Sequence, residues 1–506
     1  MPKLHLISLG CTKNLVDSEV MLGALSHYER VDKAQDADII IVNTCGFIAS
    51  AKKESVDKIL EVALKKRAGA ILIVSGCLSE RYAEELRDEI PEIDIITGVG
   101  DYDKIESMIQ SVVDSPCGNL SLDKHSADLL NFERSQTASL VSHPKFSKNN
   151  ESRPENPSVV LNEKDSKNSP SLAEGARGWV KSNSPQIIKS PQTFLIENQE
   201  RIITGSAIHA YIKISEGCNQ QCSFCAIPHF KGRLHSRKTD SIMREIESLL
   251  AKGYFDFSFI SQDSSSYMRD LGKKDGLIEL IKRVESSGAK SARILYLYPS
   301  TTSEDLIQAI AESRVFQNYF DMPLQHISDK MLKIMRRSAN QKRHIALLKQ
   351  MRNVKNSFIR TSFLLGHPRE SEADFDELCE FVSDFSFDRA NIFGFSREEG
   401  TLAFDMSGAV SAKTTKARIK KLNNILSKAQ EKSLKSLVGR TIHAIVEGRS
   451  DKSDLLFSAR DLRWDREIDG EILINDSEIA LDSGYYAVQI TDFKGGYLVG
   501  RAIEKI

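Results

Sequence analysis

Two hydrophobic periods divide this chain. Over the first hundred residues, the apolar runs "KLHLISLG", "DADIIIVNT", "AGAILIVSG" and "EIDIITG" read as strands, and helical periodicity fills about 16–28, 48–67, 80–90 and 101–113. Strands alternating with helices predict βαβ units on a parallel sheet. From 207 the alternation resumes with "AYIKIS", "FSFIS", "ARILYLY", "NYFDM", "IRTSFLL" and "RANIFGF", separated by helical patterns near 239–252, 276–288, 304–313, 328–353 and 371–384. Six such repeats predict a partial (β/α)6 barrel. Beyond a helix at about 411–436 the period shortens to two, and "RTIHAIVEG", "LLFSARD", "GEILIND", "YYAVQITDF" and "YLVGRAIE" predict a small antiparallel β-barrel of the oligonucleotide-binding kind.

The stretch 115–205 breaks the pattern. It is rich in Ser, Asn, Pro and Lys and shows no sustained period, a composition that buries too little apolar surface to offset ordering entropy. It predicts an inserted linker, with Trp179 and Phe194 to Ile196 as residual apolar patches. The expected organisation is therefore an α/β protein: a parallel-sheet domain at 1–114, the linker at 115–205, the barrel domain at 206–436 and the terminal β-barrel at 437–506.

Composition narrows the function. The 506 residues carry a net charge of −1, which argues against a general nucleic-acid coat and makes any basic surface local. One local candidate is 411–436, with eight Lys or Arg against one Glu; a solvated face and an RNA contact explain it equally. No apolar run approaches a membrane span, and "MPKLHLISLG" reads as a first strand and not an export signal. A cytoplasmic monomer is the expectation, and there eight cysteines are metal ligands or catalytic groups more readily than disulfides.

Six of those cysteines fall into two sets. "ISLGC", "IVNTC" and "IVSGC" deliver Cys11, Cys45 and Cys77 at the ends of the first three strands, and strand C-termini of a parallel sheet share the edge where open α/β folds place ligands. "EGCNQQCSFCAIP" delivers Cys218, Cys222 and Cys225 after the first barrel strand. Three thiolates can hold three corners of a four-iron cluster and leave one iron open. A Cys3His zinc site completed by His229 is the alternative reading of the second set. Cys117 lies in the linker, and Cys379 in "DFDELCEFVSDF" reads as a core residue.

C-x-x-x-C-x-x-C after the first strand of a partial αβ barrel resembles the signature of the radical S-adenosylmethionine (SAM) superfamily. With the strand-end cysteines before it and a small barrel after it, the chain resembles the methylthiotransferases, whose terminal module is called TRAM. "LHLISLGCTKNLVDSE", "SQDSSSYMRDL", "RILYLYPS", "DMPLQHISDKMLKIMRR" and "FGFSREEGTLA" are most similar to the branch that modifies ribosomal protein S12, and the resemblance covers nearly everything except 115–205. It implies two 4Fe-4S clusters, one on Cys218, Cys222 and Cys225 that binds SAM, the other on Cys11, Cys45 and Cys77 that carries the sulfur to be transferred. The implied reaction is methylthiolation of the β-carbon of an S12 aspartate, with an electron donor required and rRNA contact through the terminal barrel in view.

The rival activities are methylthiolation of tRNA adenosine and, from another class, a non-catalytic iron–sulfur electron carrier with an RNA-binding barrel. A zinc-stabilised RNA-binding protein is a further option. Beyond the cysteines, the resemblance points to Phe224, Gln262, Asp263, Gly366 and Glu370 as SAM contacts. Arg369 departs from the family pattern, where a glycine stands. His326 in "PLQHIS" reads as an ordinary hydrogen-bonded histidine.

Overall fold

The computed structural model describes residues 1–113, 186–188 and 200–506. Cys117, Trp179 and Phe194 to Ile196 lie outside them. Two compact units emerge, and they do not follow the linear order of the chain. The first holds Met1–Ile7, His27–Gly98 and the described residues of 104–189; the second holds Ser8–Ser26, Val99–Asp103 and the described residues from 200 onward.

The first unit is built on a six-stranded sheet. Its strands are β1 (Lys3–Ser8), β2 (Glu29–Arg30), β3 (Ile39–Thr44), β4 (Ile71–Gly76), β5 (Ile95–Thr97) and β6 (Gln186–Ile188), in the order β2-β1-β3-β4-β5-β6. β3 and β4 are buried along their whole length, which is why they read as continuous apolar runs and not as alternating ones. β6 pairs in parallel with β5, Ile95 opposite Gln186. This corrects part of the linker reading: "QII", inside 115–205, completes the sheet.

In the second unit, β7 (His209–Lys213), β10 (Asp256–Ile260) and β11 (Ser291–Ile294) form one parallel sheet. β12 (Tyr319–Asp321), β13 (Phe358–Leu365) and β14 (Arg389–Gly394) form another. A bridge from Ala292 to Phe316 links the two, giving the six predicted strands. The short strands β8 (Ser215–Glu216) and β9 (His235–Ser236) pair antiparallel just beyond β7. The predicted 328–353 helix is two helices, Asp329–Ile334 and Gln341–Asn353. Arg336 in the break takes φ +52, and the Asn340 side chain accepts the Arg343 amide at 3.0 Å as an N-cap.

The terminal strands β15 (Thr441–Ser450), β16 (Ser453–Asp461), β17 (Ile472–Ser477), β18 (Gly484–Lys494) and β19 (Tyr497–Lys505) close into a barrel ordered β15-β16-β17-β19-β18. All five are the predicted strands, but the antiparallel expectation needs one correction. β17 and β19 pair in parallel, because closure brings together two strands that are not joined by a hairpin.

Buried charges join this barrel to the partial barrel. Asp256, the first residue of β10, accepts Arg293 Nη2 at 2.8 Å and Arg460 Nη2 at 2.5 Å; Arg460 also donates to Glu447 at 2.8 Å. Burial raises the Asp256 carboxyl, but the two guanidiniums outweigh it and hold the group far below the usual range. Tyr211 and Ser258 hydroxyls both donate to Asp465 at 2.8 Å. These contacts involve the first residue of β10 and middle positions of β7, β10 and β11, leaving the residues beyond the strand C-termini, where such barrels keep their chemistry, to the cysteine loop.

Asp469 sits in the same layer, 3.6 Å from Arg360. Burial pushes its carboxyl up to about 7, against the pull of Arg360 and with the help of Asp465. An unfolded aspartate titrates near about 3.9. Between those values the native state keeps a proton that the unfolded chain has lost, so stability falls as pH rises through that window. Thermal melts between pH 4 and 8 are expected to show this decline and Asp469→Asn to flatten it; an unchanged slope in the variant would remove Asp469 as its source.

Candidate functional site

The loop after β7 is fixed at both ends before it bears any ligand. β8 and β9 clamp residues 217–234, and Gly217 takes φ +75 with its backbone so close to Arg233 that a Cβ would stand 2.1 Å from the Arg233 carbonyl oxygen. The Cys218 amide donates to Gly232 O at 3.1 Å, and the Ser223 amide to Met335 O at 3.0 Å. Gly217→Ala is accordingly expected to cost about 1–3 kcal/mol in backbone strain and to lower iron bound per chain on reconstitution. Metal analysis beside a thermal melt checks both.

The Cys218 and Cys222 sulfurs meet donors. The Gln220 amide donates to Cys218 Sγ at 3.4 Å, Arg337 Nη1 donates to Cys222 Sγ at 3.4 Å, and the Tyr298 hydroxyl lies 3.5 Å from Cys222 Sγ. Burial pushes the Cys218 and Cys225 thiols up to about 12, so a metal that binds there must displace their protons. Among the described residues, no three His, Cys, Asp or Glu side chains stand close enough around one point to hold a single ion. His229 lies against Gly400, its Cδ2 3.8 Å from where a Gly400 Cβ would be.

Behind the loop lies a buried charge group. The Lys213 ammonium donates to Asp17 and, at 2.8 Å, to Glu216; Lys231 stands 3.6 Å from Asp17 and 3.5 Å from Glu216. Burial works to raise the Glu216 carboxyl, yet Lys213 and Lys231 hold it down to about 2. Asp17 lies on the helix Thr12–Ala24 that follows Cys11, so these pairs tie that helix to the cysteine loop.

Residues 3–98 match the family described as "Uncharacterized protein family UPF0004", and residues 212–382 match the radical SAM superfamily. The ribosomal protein uS12 methylthiotransferase RimO of Wolinella succinogenes is 50% identical over 500 residues, 98% of this chain and 97% of that protein. The chain belongs to the RimO family. The Helicobacter pylori protein of the same name is 48% identical over 99% of this chain and 98% of its own length. Among solved structures, the radical SAM methyltransferase TsrM of Kitasatospora setae, with cobalamin and a 4Fe-4S cluster bound, is similar at a TM-score of 0.49 and 14% identity, covering 80% of this chain and 74% of that one.

As a RimO-family member the chain is a radical SAM enzyme and a methylthiotransferase. Its superfamily implies a 4Fe-4S cluster and SAM. The loop fits a cluster: three soft thiols on one turn, with an amide, a guanidinium and a phenol turned toward the sulfurs, the kind of hydrogen bonding that tunes cluster potential.

The other candidate residues lie around this loop in mixed roles. Gln262 Nε2 donates to Glu216 at 2.5 Å. Asp263 accepts Gln220 Nε2 at 2.8 Å and Ser266 Oγ at 2.7 Å, spending its carboxylate on its own turn and on the cysteine loop. Phe224 packs beside Met331, Met335 and Leu364, with its ring edge-on to His367 at 6.4 Å. Glu370 accepts the Gly366 amide at 2.5 Å and Arg418 Nη1 at 2.9 Å. Gly366 has φ +79, and a Cβ there would meet Thr415 Oγ1 at 2.2 Å.

Arg369 carries φ +70, so this chain holds an arginine in the left-handed region at a cost of roughly 1–2 kcal/mol. Its amide reaches Gly408 O at 2.7 Å. His326 is the hydrogen-bonded histidine expected: its Nδ1 accepts the Ile327 and Ser328 amides at 3.0 and 3.1 Å. Cys379 is buried in the core, as expected.

Cys45 and Cys77 are buried in the first unit, directly after the adjacent strands β3 and β4. Gly46 lets the two turns close: a Cβ there would stand 2.7 Å from the Cys77 carbonyl oxygen. Ser55 Oγ accepts the Cys45 amide and donates to its carbonyl, both at 3.0 Å. Cys11 is exposed, precedes the helix Thr12–Ala24 and belongs to the second unit.

Sequence reading missed Arg337, Tyr298 and the Asp17–Lys213–Glu216–Lys231 group. Lys213 and Glu216 did leave a signal, as charged positions that end an otherwise apolar strand in "AYIKISEG". Arg337 left a fainter one in "RRSAN", where Asn340 is an N-cap residue inside a helical pattern.

Proposed function

We propose that this chain methylthiolates the β-carbon of an aspartate in ribosomal protein uS12. What supports this most is the identity of about half over nearly the full length to proteins carrying that name. Cys218, Cys222 and Cys225 would hold the cluster that binds SAM, and Cys11, Cys45 and Cys77 a second cluster that presents the sulfur. When bound and reduced, the first cluster together with SAM would supply radical chemistry able to take hydrogen from an unactivated carbon.

The chain's own residues then do the positioning. The loop 217–234 holds three thiolates in one arrangement. Arg337 and Tyr298 orient Cys222. Asp263, by way of Gln220, holds the turn between the ligands, and Glu370 fixes Gly366, whose lack of a side chain keeps that turn against the helix Ala412–Lys435. In this reading Asp263 and Glu370 shape the walls that SAM meets, while Phe224, Gln262 and Gly366 line them.

No helix among the described residues is long and apolar enough to cross a membrane. The deciding experiment is an anaerobic reaction of reconstituted protein, SAM, a reductant and uS12, read by mass spectrometry of uS12 peptides, with a tRNA reaction alongside. A methylthio mass gain on one aspartate supports the proposal. Methylthio-adenosine in tRNA without that gain moves the chain to the tRNA-modifying activity, and redox cycling with neither product to the electron-carrier reading.

A further inference from the structure

The break between the helices Asp329–Ile334 and Gln341–Asn353 has a specific product. Arg336 turns the chain with φ +52, and the next residue, Arg337, sends its guanidinium into the interior with 8% of the residue exposed. There Nη2 donates to Pro323 O at 2.5 Å and Nη1 to Cys222 Sγ at 3.4 Å. The planar group stacks 4.0 Å from the centre of the Tyr298 ring, and the Tyr298 hydroxyl reaches the same sulfur at 3.5 Å.

Among the described residues no carboxylate forms an ion pair with Arg337. A buried guanidinium so placed needs an anion beside it, and the group its geometry selects is the Cys222 sulfur, anionic when it is a cluster ligand. We propose that Arg337, held by Tyr298, is a positioning residue that sets the reduction potential of the cluster on Cys218, Cys222 and Cys225. This rests on the ligand assignment under the proposed function.

The physical basis is charge. Reduction adds one electron, taken from an external one-electron donor, to a cluster whose ligands are already anionic, and Arg337 itself is unchanged in the step. A fixed positive charge and an N–H donor at the ligand sulfur stabilise the more negative state, so removing them makes the electron harder to add.

The test is potentiometry of the full-length reconstituted protein, followed by electron paramagnetic resonance, on the signal that changes when SAM is added. Arg337→Met keeps length and removes charge and donors. It is expected to lower the ratio of reduced to oxidised cluster at a fixed potential at least tenfold, a shift of about 59 mV to more negative potential for one electron, while Arg337→Lys recovers most of it.

Wild-type iron content with an unchanged midpoint in Arg337→Met overturns the proposal. If that variant does not load iron, Arg337→Gln, which keeps a donor for the Pro323 carbonyl but not the charge, is measured by the same criterion. The ligand assignment fails separately: Cys222→Ala would then retain the SAM-sensitive signal.

Discussion

Cys222→Ala is expected to abolish methylthiolation down to the uncatalysed background while leaving the protein folded. For a radical enzyme that loss is at least about 10⁶-fold, since nothing in the side chains substitutes for the cofactor's chemistry. The fold is kept because the loop backbone is tied through the Cys218 and Ser223 amides and the β8–β9 pair, and Arg337, which loses the Cys222 sulfur, retains the Pro323 carbonyl and the Tyr298 ring. Iron per chain is expected to fall by roughly half if the second site loads independently. Cys379→Ala is the contrasting control. It removes a core thiol, costs stability of the order of 1 kcal/mol and keeps full iron content; iron analysis and the uS12 assay on both variants check the pair.

Asp256→Ala carries the largest expected effect on stability, about 3–5 kcal/mol. The carboxylate is fully buried, and its loss strands Arg293 and Arg460 without the anion both of them approach. Arg460 retains Glu447 at 2.8 Å, so the penalty falls mainly on Arg293, which is completely buried. Urea unfolding followed by Trp464 fluorescence reads this directly, because Trp464 is buried in the terminal barrel, where its carbonyl accepts Arg460 Nη1. A change under about 1 kcal/mol would mean that water replaces the carboxylate at no great cost.

Most of the architecture was legible because it is written in local periods. The fully buried β3 and β4, the six barrel strands and the five terminal strands each announce themselves within a dozen residues. Cys218, Cys222 and Cys225 were legible as a group because their spacing puts three thiols on one loop, and Cys11, Cys45 and Cys77 because each closely follows an apolar strand. What was not legible depends on partners distant in the chain. "QII" at 186–188 is too short to mark a strand until β5 offers an edge, and the parallel seam of β17 with β19 is a result of closure. Asp17 reads as an ordinary surface acid in a helical pattern, but it is buried because Lys213 lies almost two hundred residues away in sequence and beside it in space. The break before Arg337 was hidden by continuous helix-forming residues on both sides.

The helix Thr12–Ala24 has a practical consequence for anyone who would cut this protein into parts. It follows the first strand in sequence yet belongs to the second unit, where Asp17 pairs with Lys213, and Glu19 accepts the Thr204 amide at 2.8 Å and lies 3.4 Å from Arg201. A fragment begun at residue 200 would leave these cations and amides without their acids, and a fragment ended at 113 would carry an orphaned helix. No single scission yields two self-sufficient pieces, so a chimera that grafts this N-terminal sheet onto another barrel must exchange residues 8–26 with the recipient and not with the donor.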